Sequence, residues 1–234
     1  MLGTALIEPW VIPPPRALAC FADQHYIGAV NAFIPPSEPV EQSLPPSGKG
    51  WVHEVKFDGY RLQLHKDGDR AVIWSKNGKD FTARFRDLAK AVAALPCKTC
   101  IIDAEGVALD AEGRPDFRAL VGGQKHSRVA WCFDLMEIDG RDLRHIPLIT
   151  RRVRLSALLK KAGDEVMRMS DTFPDPHKLL AALDERGLEG IVSKKSDQPY
   201  LSGKNRGWIK VKCHAWREVN RNRGDMFGKR EKRT

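Results

Sequence analysis

From Trp51 onward the chain alternates. Trp51, His53, Val55 and Phe57 interleave with Val52, Glu54 and Lys56, a period of two that predicts a strand. Beyond Asp58-Gly59 the alternation resumes with Tyr60, Leu62 and Leu64. After "KDGD" it continues in "RAVIWS", so Asp67-Gly68 between two alternating runs predicts a hairpin. In "ARFRDLAKAVAAL" the apolar positions Phe85, Leu88, Ala89, Val92 and Leu95 fall at helical spacing. "CIIDAEGVAL" and "RVAWCFDLMEIDG" read as strands, "TRRVRLSALLKKAG" and "PHKLLAALDERG" as helices closed by glycine, and "GIVSKK" and "GWIKVKC" as short strands. Strands outnumber helices without alternating regularly with them. This predicts an α+β domain with largely antiparallel sheets rather than a doubly wound parallel one.

Residues 1–34 form a proline-rich extension, and "IPPSEPVEQSLPPSGKG" reads as extended chain that wraps or links rather than as a core element. Regular structure is expected over 35–216, followed by a basic, disordered tail over 217–234, where seven basic residues face three acidic ones. The apolar share of 42% supports a sizeable core, and the net charge of +9 points to a polyanionic partner. Five cysteines without a framework fit a reducing, cytoplasmic setting. Cys97-x-x-Cys100 lacks the second pair of a metal site and reads as two small apolar residues entering a strand. No run approaches the roughly 18 apolar residues of a membrane helix, so no membrane association is expected.

Within this frame a few polar residues stand out. The alternation sets Glu54 and Lys56 on the face opposite Trp51, Val55 and Phe57, with Arg61 and Gln63 continuing it beyond the turn. That face is either the lining of a polar cleft or an exposed, salt-bridged edge. Asp103 and Glu105 share a face with Ile101, Val107 and Leu109; two acids in an apolar strand require a compensating cation, metal or sugar hydroxyl, or a capping role at the strand end. Lys210 and Lys212 point one way from a short strand, toward an anion or toward solvent.

These stretches, taken together and in order, resemble the covalent nucleotidyltransferases. "EVKFDGYR" matches the K-x-D-G-x-R signature, and "SKNG" (75–78), "DAEG" (103–106), "CFDLMEIDG" (132–140), "EGIVSK" (189–194) and "WIKVK" (208–212) follow in the family's sequence. "LPPSGKGWVHEVKFDGYR" and "YLSGKNRGWIKVK" are most similar to bacterial ATP-dependent DNA ligases of the end-joining type. The resemblance implies an adenylation domain with a nucleotide cleft between its sheets, using ATP and Mg²⁺ to seal nicked duplex DNA. It implies Lys56 as the nucleophile that carries AMP. Glu54 and Val55 fall at the adenine, Asp58 and Arg61 on the ribose and phosphate side, Glu105 on a ribose hydroxyl, and Phe133 stacked on the base. Glu189 is implied as a metal ligand, Lys210 and Lys212 as the clamp on the α-phosphate, and Lys76, Lys194 and Lys204 as contacts to DNA. A free lysine, with a pKa of about 10.4, is neutral in only roughly one molecule in 2,500 at pH 7, so such a nucleophile needs neighbouring cations and partial desolvation.

Three features depart from the family pattern. Only 22 residues follow Lys212, too few for the oligonucleotide-binding barrel that follows this motif in the family. The expectation is therefore an adenylation domain without that barrel, and a partner supplying one in trans. Lys76 and Lys204 stand where arginine is usual, keeping the charge and losing the two-pronged grip. The last residues, "RNRGDMFGKREKRT", match nothing in the family. The alternatives are a catalytically impaired ligase fragment that binds ATP or nicked DNA, and another covalent nucleotidyltransferase such as an RNA ligase or a GTP-using capping enzyme.

Overall fold

The computed structural model describes residues 33–110, 127–163 and 165–221. The predicted hairpin forms from β3 (Tyr60–Asp67) and β4 (Arg70–Ser75), with Gly68 at φ +58° in the turn. β3 also pairs with β5 (Thr99–Leu109), and β5 with β6 (Ser127–Ile138). Two short strands complete this larger sheet on β6: β7 (Arg141–Asp142), antiparallel, and β8 (Met167–Met169), parallel. The smaller sheet runs β1-β10-β9-β2, built from β1 (Ser37–Glu41), β2 (Trp51–Lys56), β9 (Gly190–Lys195) and β10 (Gly203–Lys212). All pairings are antiparallel except β1 with β10 and β6 with β8, as the α+β reading expects.

Helices cover the outer faces. A 3₁₀ turn (Thr82–Arg84) leads into α1 (Arg86–Ala93), whose Leu88, Ala91 and Val92 join Leu62, Leu64, Ile73 and Ile102 in the main core. α2 (Leu148–Ala162) adds Leu155, Leu158 and Leu159 to that core and ends in Gly163 at φ +64°, whose N–H donates to Leu159 O. Each such fully buried side chain contributes about 1.5–3 kcal/mol. α3 (Pro176–Glu185) starts at Asp175, whose carboxylate accepts from His177 N and Lys178 N. Its Leu179 and Leu183 pack with Ile191, Ile209 and Val211 behind the smaller sheet. α4 (His214–Val219) docks on the same layer through Trp216, and Ala215 N donates to Asp184 Oδ1 at 2.8 Å. No described helix is long and apolar enough to cross a membrane.

Two placements differ from the sequence reading. The proline-rich stretch contains a strand: β1 is an edge strand parallel to β10, and Pro39 is tolerated because an edge leaves one row of backbone groups unpaired. α4 runs past Trp216, the limit drawn from composition. Cys100 is buried in the main core with Cys97 packed at its margin. Residues 1–32 and 222–234, with Cys20 and the basic end of the chain, lie outside the described residues.

Candidate active site

With helices on the outer faces, the polar faces of the two sheets line the cleft. In the smaller sheet the registers place Lys56, Gly190 and Lys212 in one row and Glu54, Val192 and Lys210 in the next. Gly190 thus leaves the first row without a side chain between two lysines. Its backbone sits at φ +148°, and a Cβ there would fall 2.1 Å from Val211 O, so only glycine fits. In the larger sheet Arg61 pairs with Glu105 and Gln63 with Asp103, all on the cleft side. The β5–β6 ladder passes from Asp134 to Cys132 and skips Phe133; this bulge turns the aromatic ring toward the cleft.

A second pair of glycines sets how closely these elements meet. A Cβ on Gly59, in the turn after Lys56, would lie 2.3 Å from Gly106 O. The "DG" turn and the "AEG" strand therefore touch backbone to backbone, which brings Lys56 into the field of Glu105.

Lys56 Nζ donates to Glu189 Oε2 at 2.7 Å, with the lysine 22% exposed and the glutamate 7%. Burial raises the Glu189 carboxyl above its ordinary range, with Lys56 working against that shift and the charge of Asp58 adding to it. Glu105 is pushed up to about 7 by burial, opposed by Lys56 and Arg61. The sign is that of a carboxylate favoured in its neutral form on folding. Its contribution to stability is present below the unfolded pKa near 4.5 and is lost as the pH rises toward 7. Glu105→Gln is therefore expected to stabilise the empty protein by about 1–3 kcal/mol at pH 8 and by little at pH 5. Urea unfolding at the two pH values checks it, and equal effects at both refute the assignment.

The model of the ATP-dependent DNA ligase domain matches residues 36–212, more than half of the chain. The chain belongs to the ATP-dependent DNA ligase domain family. Over 184 residues it is 40% identical to the multifunctional non-homologous end joining protein LigD of Pseudomonas aeruginosa, covering 76% of this chain and 22% of that one. It is 37% identical over 172 residues to a probable DNA ligase of Beutenbergia cavernae, covering 68% of this chain and 33% of that one. Among solved structures it superposes on a mycobacterial DNA ligase D complexed with ATP and MES at TM-score 0.68 and 28% identity, over 79% of this chain and 61% of that one. The chain thus spans between about a fifth and a third of the length of these two curated relatives.

The ligase motifs do not all expose their side chains to the cleft. Lys56, Glu189, Lys210, Lys212, Glu105 and Arg61 converge there. Asp103 is compensated by a cation, one of the options left open by sequence: Arg61 Nε and Nη2 fork its carboxylate at 2.6 and 2.8 Å, and Tyr200 Oη donates to Oδ2 at 2.6 Å. The Arg61 guanidinium also lies 4.6 Å from the Phe133 ring centroid. The Val55 side chain packs behind the sheet with the α3 cluster, so toward the cleft it presents only main chain, on the edge strand β2.

Lys194 requires a correction. Assigned to DNA by resemblance, it is 2% exposed, pairs with Glu54 Oε1 at 2.8 Å, and sits 4.1 and 4.3 Å from the ring centroids of Phe133 and Trp208. An ammonium enclosed in this way has no surface to give a phosphate backbone. Lys204 is exposed, and Lys76 is 52% exposed in a 2.8 Å pair with Glu38. The Glu54 carboxylate is likewise committed to the interior. It takes Lys194, Arg152 Nη1 at 3.0 Å and the hydroxyl of Ser170 at 2.9 Å.

Several residues of this site were missed from sequence. Arg152 donates to Phe133 O and Ser170 O as well as pairing with Glu54, and so ties β6 to β2 across the back of the cleft. Arg151 and Asp134 form a fully buried pair beside it. In the helix "TRRVRLSALL" two successive arginines at otherwise core-facing positions were the available signal, since buried cations demand buried anions.

Among the described residues no group of three or more His, Cys, Asp or Glu side chains is placed to hold a metal alone. Glu189, with the negative charge of Asp58 beside it, suits an ion that keeps its waters and shares substrate phosphates, which is how Mg²⁺ behaves.

Proposed function

We propose that this chain is the adenylation core of a DNA ligase that joins nicks in duplex DNA through a lysyl-AMP intermediate. The observation that carries the reading is the row Lys56–Gly190–Lys212, flanked by Lys210 and faced by Glu105. An amine, a gap and two cations along this row suit the charge and size of one phosphate group. Lys56 Nζ loses a proton, for which Glu189 Oε2 is in reach at 2.7 Å, and forms the N–P bond as the bond from the α-phosphorus to the bridging oxygen breaks. Pyrophosphate leaves, and Lys210 and Lys212 offset the charge that builds on the phosphate oxygens. Glu105 accepts from a ribose hydroxyl, Phe133 borders the base, and β2 offers main chain at Glu54 and Val55. Asp58 and Arg61 order the ribose and phosphate side, Arg61 through its hold on Asp103.

Glu189 would hold Mg²⁺, which would supply charge neutralisation at the phosphates. The AMP then passes to the 5′-phosphate of a nick, with Lys76 and Lys204 as surface contacts to the duplex. The likeness to LigD points to nicks arising in end joining, and so to DNA repair in the cytoplasm. In domain terms, the adenylation unit runs from residue 35 through α4, 1–34 is an extension, and the basic residues after α4 aid DNA binding.

The test compares sealing of an ordinary nick with ATP and of a pre-adenylated nick without it. Sealing of either supports the ligase reading. Failure on both, with ATP still bound, leaves a nucleotide-binding module instead. Label from GTP rather than ATP on the chain would indicate a capping-type enzyme.

A further inference from the structure

Three cations converge on one carboxylate at the end of the cleft away from Lys56. Glu41 closes β1 and stands beside Lys210 in the parallel pairing. Its Oε2 lies 3.6 Å from both Lys210 Nζ and Lys212 Nζ, and its Oε1 lies 3.5 Å from Arg217 Nη2. Without that carboxylate the three cations repel one another. Arg217 is not there by chance of a loose terminus. It belongs to α4, which is fixed by Cys213 N to Glu189 O at 3.0 Å, by Ala215 N to Asp184 Oδ1 and by Trp216 against the α3 cluster.

The position has a meaning for phosphoryl chemistry. The smaller sheet is ordered β2, β9, β10, β1, so a path from Lys56 crosses Gly190, then the two clamp lysines, and ends at Glu41 and Arg217. Displacement at phosphorus is in line, with the leaving oxygen opposite the attacking atom. An α-phosphate attacked from the Lys56 side over Gly190 therefore releases its pyrophosphate toward Glu41 and Arg217.

We propose that Arg217 is a third phosphate ligand, serving the pyrophosphate side of ATP, and that Glu41 stands in for phosphate oxygens until the nucleotide displaces it. The proposal rests on Lys56 being the nucleophile. A carboxylate that is 43% exposed and whose ion pairs among the described residues are 3.5–3.6 Å long is held weakly, so a triphosphate displaces it readily. Glu41 then acts as an internal competitor that tunes nucleotide affinity, and Arg217 discriminates a triphosphate from a monophosphate.

The experiment is calorimetric titration of the full chain, with Mg²⁺, using α,β-methylene ATP, AMP and inorganic pyrophosphate in turn; thermal melts check that the variants fold. Arg217→Ala is expected to weaken the ATP analogue and pyrophosphate roughly tenfold while changing AMP by less than about twofold. Glu41→Gln is expected to tighten the analogue and pyrophosphate by roughly three- to tenfold. An equal loss for AMP and the analogue in Arg217→Ala, or unchanged or weaker binding in Glu41→Gln, overturns the proposal. Wild-type chain that binds the analogue while both variants match it sinks this inference alone. Wild-type chain that binds none of the three ligands sinks it together with the ligase reading.

Discussion

Replacing Lys56 by alanine is expected to remove all transfer of label from α-labelled ATP to the chain, while leaving it folded and able to bind the nucleotide. The reasoning is local. Lys56 is the last residue of β2, held by six register pairs to β9, and its side chain is no member of a hydrophobic cluster, its amine being paired with Glu189. On the proposed mechanism its removal takes away the amine that forms the N–P bond, so the loss is complete rather than graded. Lys56→Arg keeps the charge and is expected to be equally silent, because a guanidinium stays protonated and its nucleophilic lone pair is delocalised. The variant also leaves Glu189 without its 2.7 Å partner. Stability then changes in a predictable direction. The carboxyl, already raised by burial, moves further up once the lysine no longer opposes that shift, and Lys56→Ala with Glu189→Gln is expected to melt higher than Lys56→Ala alone. Label retained on the Lys56→Ala chain after denaturation would place the nucleophile elsewhere and remove the basis for the cleft as an active site.

How far the residues announced this arrangement depends on which physical signal each one carries. β2, β3 and β4 alternate with period two, β5 and β6 are apolar runs buried on both faces, and α1 repeats near 3.6, so the elements could be read directly, while the polar face of β2 and β3 stayed open between a cleft and an exposed edge. Lys56, Glu105 and the clamp lysines stood out as polar residues among apolar ones, while the roles expected of them came from the ordered motifs shared with the ligases. β1 was hidden because its pairing with β10 spans more than 160 residues of sequence, and prolines interrupt any alternation a five-residue strand might show. The partners Arg152, Ser170 and Tyr200 were hidden for a related reason. Ser170 and Tyr200 come from loops, where no period marks a face, and Arg152 comes from a helix whose spacing puts it toward the core without naming the anion it meets. Lys194 was misread because a motif position says that a lysine is needed and not which way it points. Its row-mate is Trp208, and the ring encloses the ammonium that a solvated strand would have exposed.

Glu54→Ala is expected to destabilise the protein by about 3–5 kcal/mol, a large part of the roughly 5–15 kcal/mol that holds a domain folded. Glu54 is the anion shared by Lys194 and Arg152 at 2.8 and 3.0 Å, and all three are almost fully buried. Truncating it leaves two cations facing each other in the interior, with the aromatic faces of Phe133 and Trp208 and the more distant charge of Asp134 to hold Lys194. Such ring contacts offset a fraction of the desolvation cost. Burial already lowers the Lys194 pKa, with Glu54 as the main opposing influence, so in the alanine variant the ammonium sheds its proton more readily and the loss of stability eases as the pH rises. Glu54→Ala combined with Lys194→Met is expected to recover more than half of the loss, because an apolar chain of similar length fills the same space without a charge. Chemical denaturation of the three proteins at pH 7 and 9 measures this directly. A single variant that unfolds within about 1 kcal/mol of the parent would mean that water reaches the network and that the two sheets are not tied together through these charges.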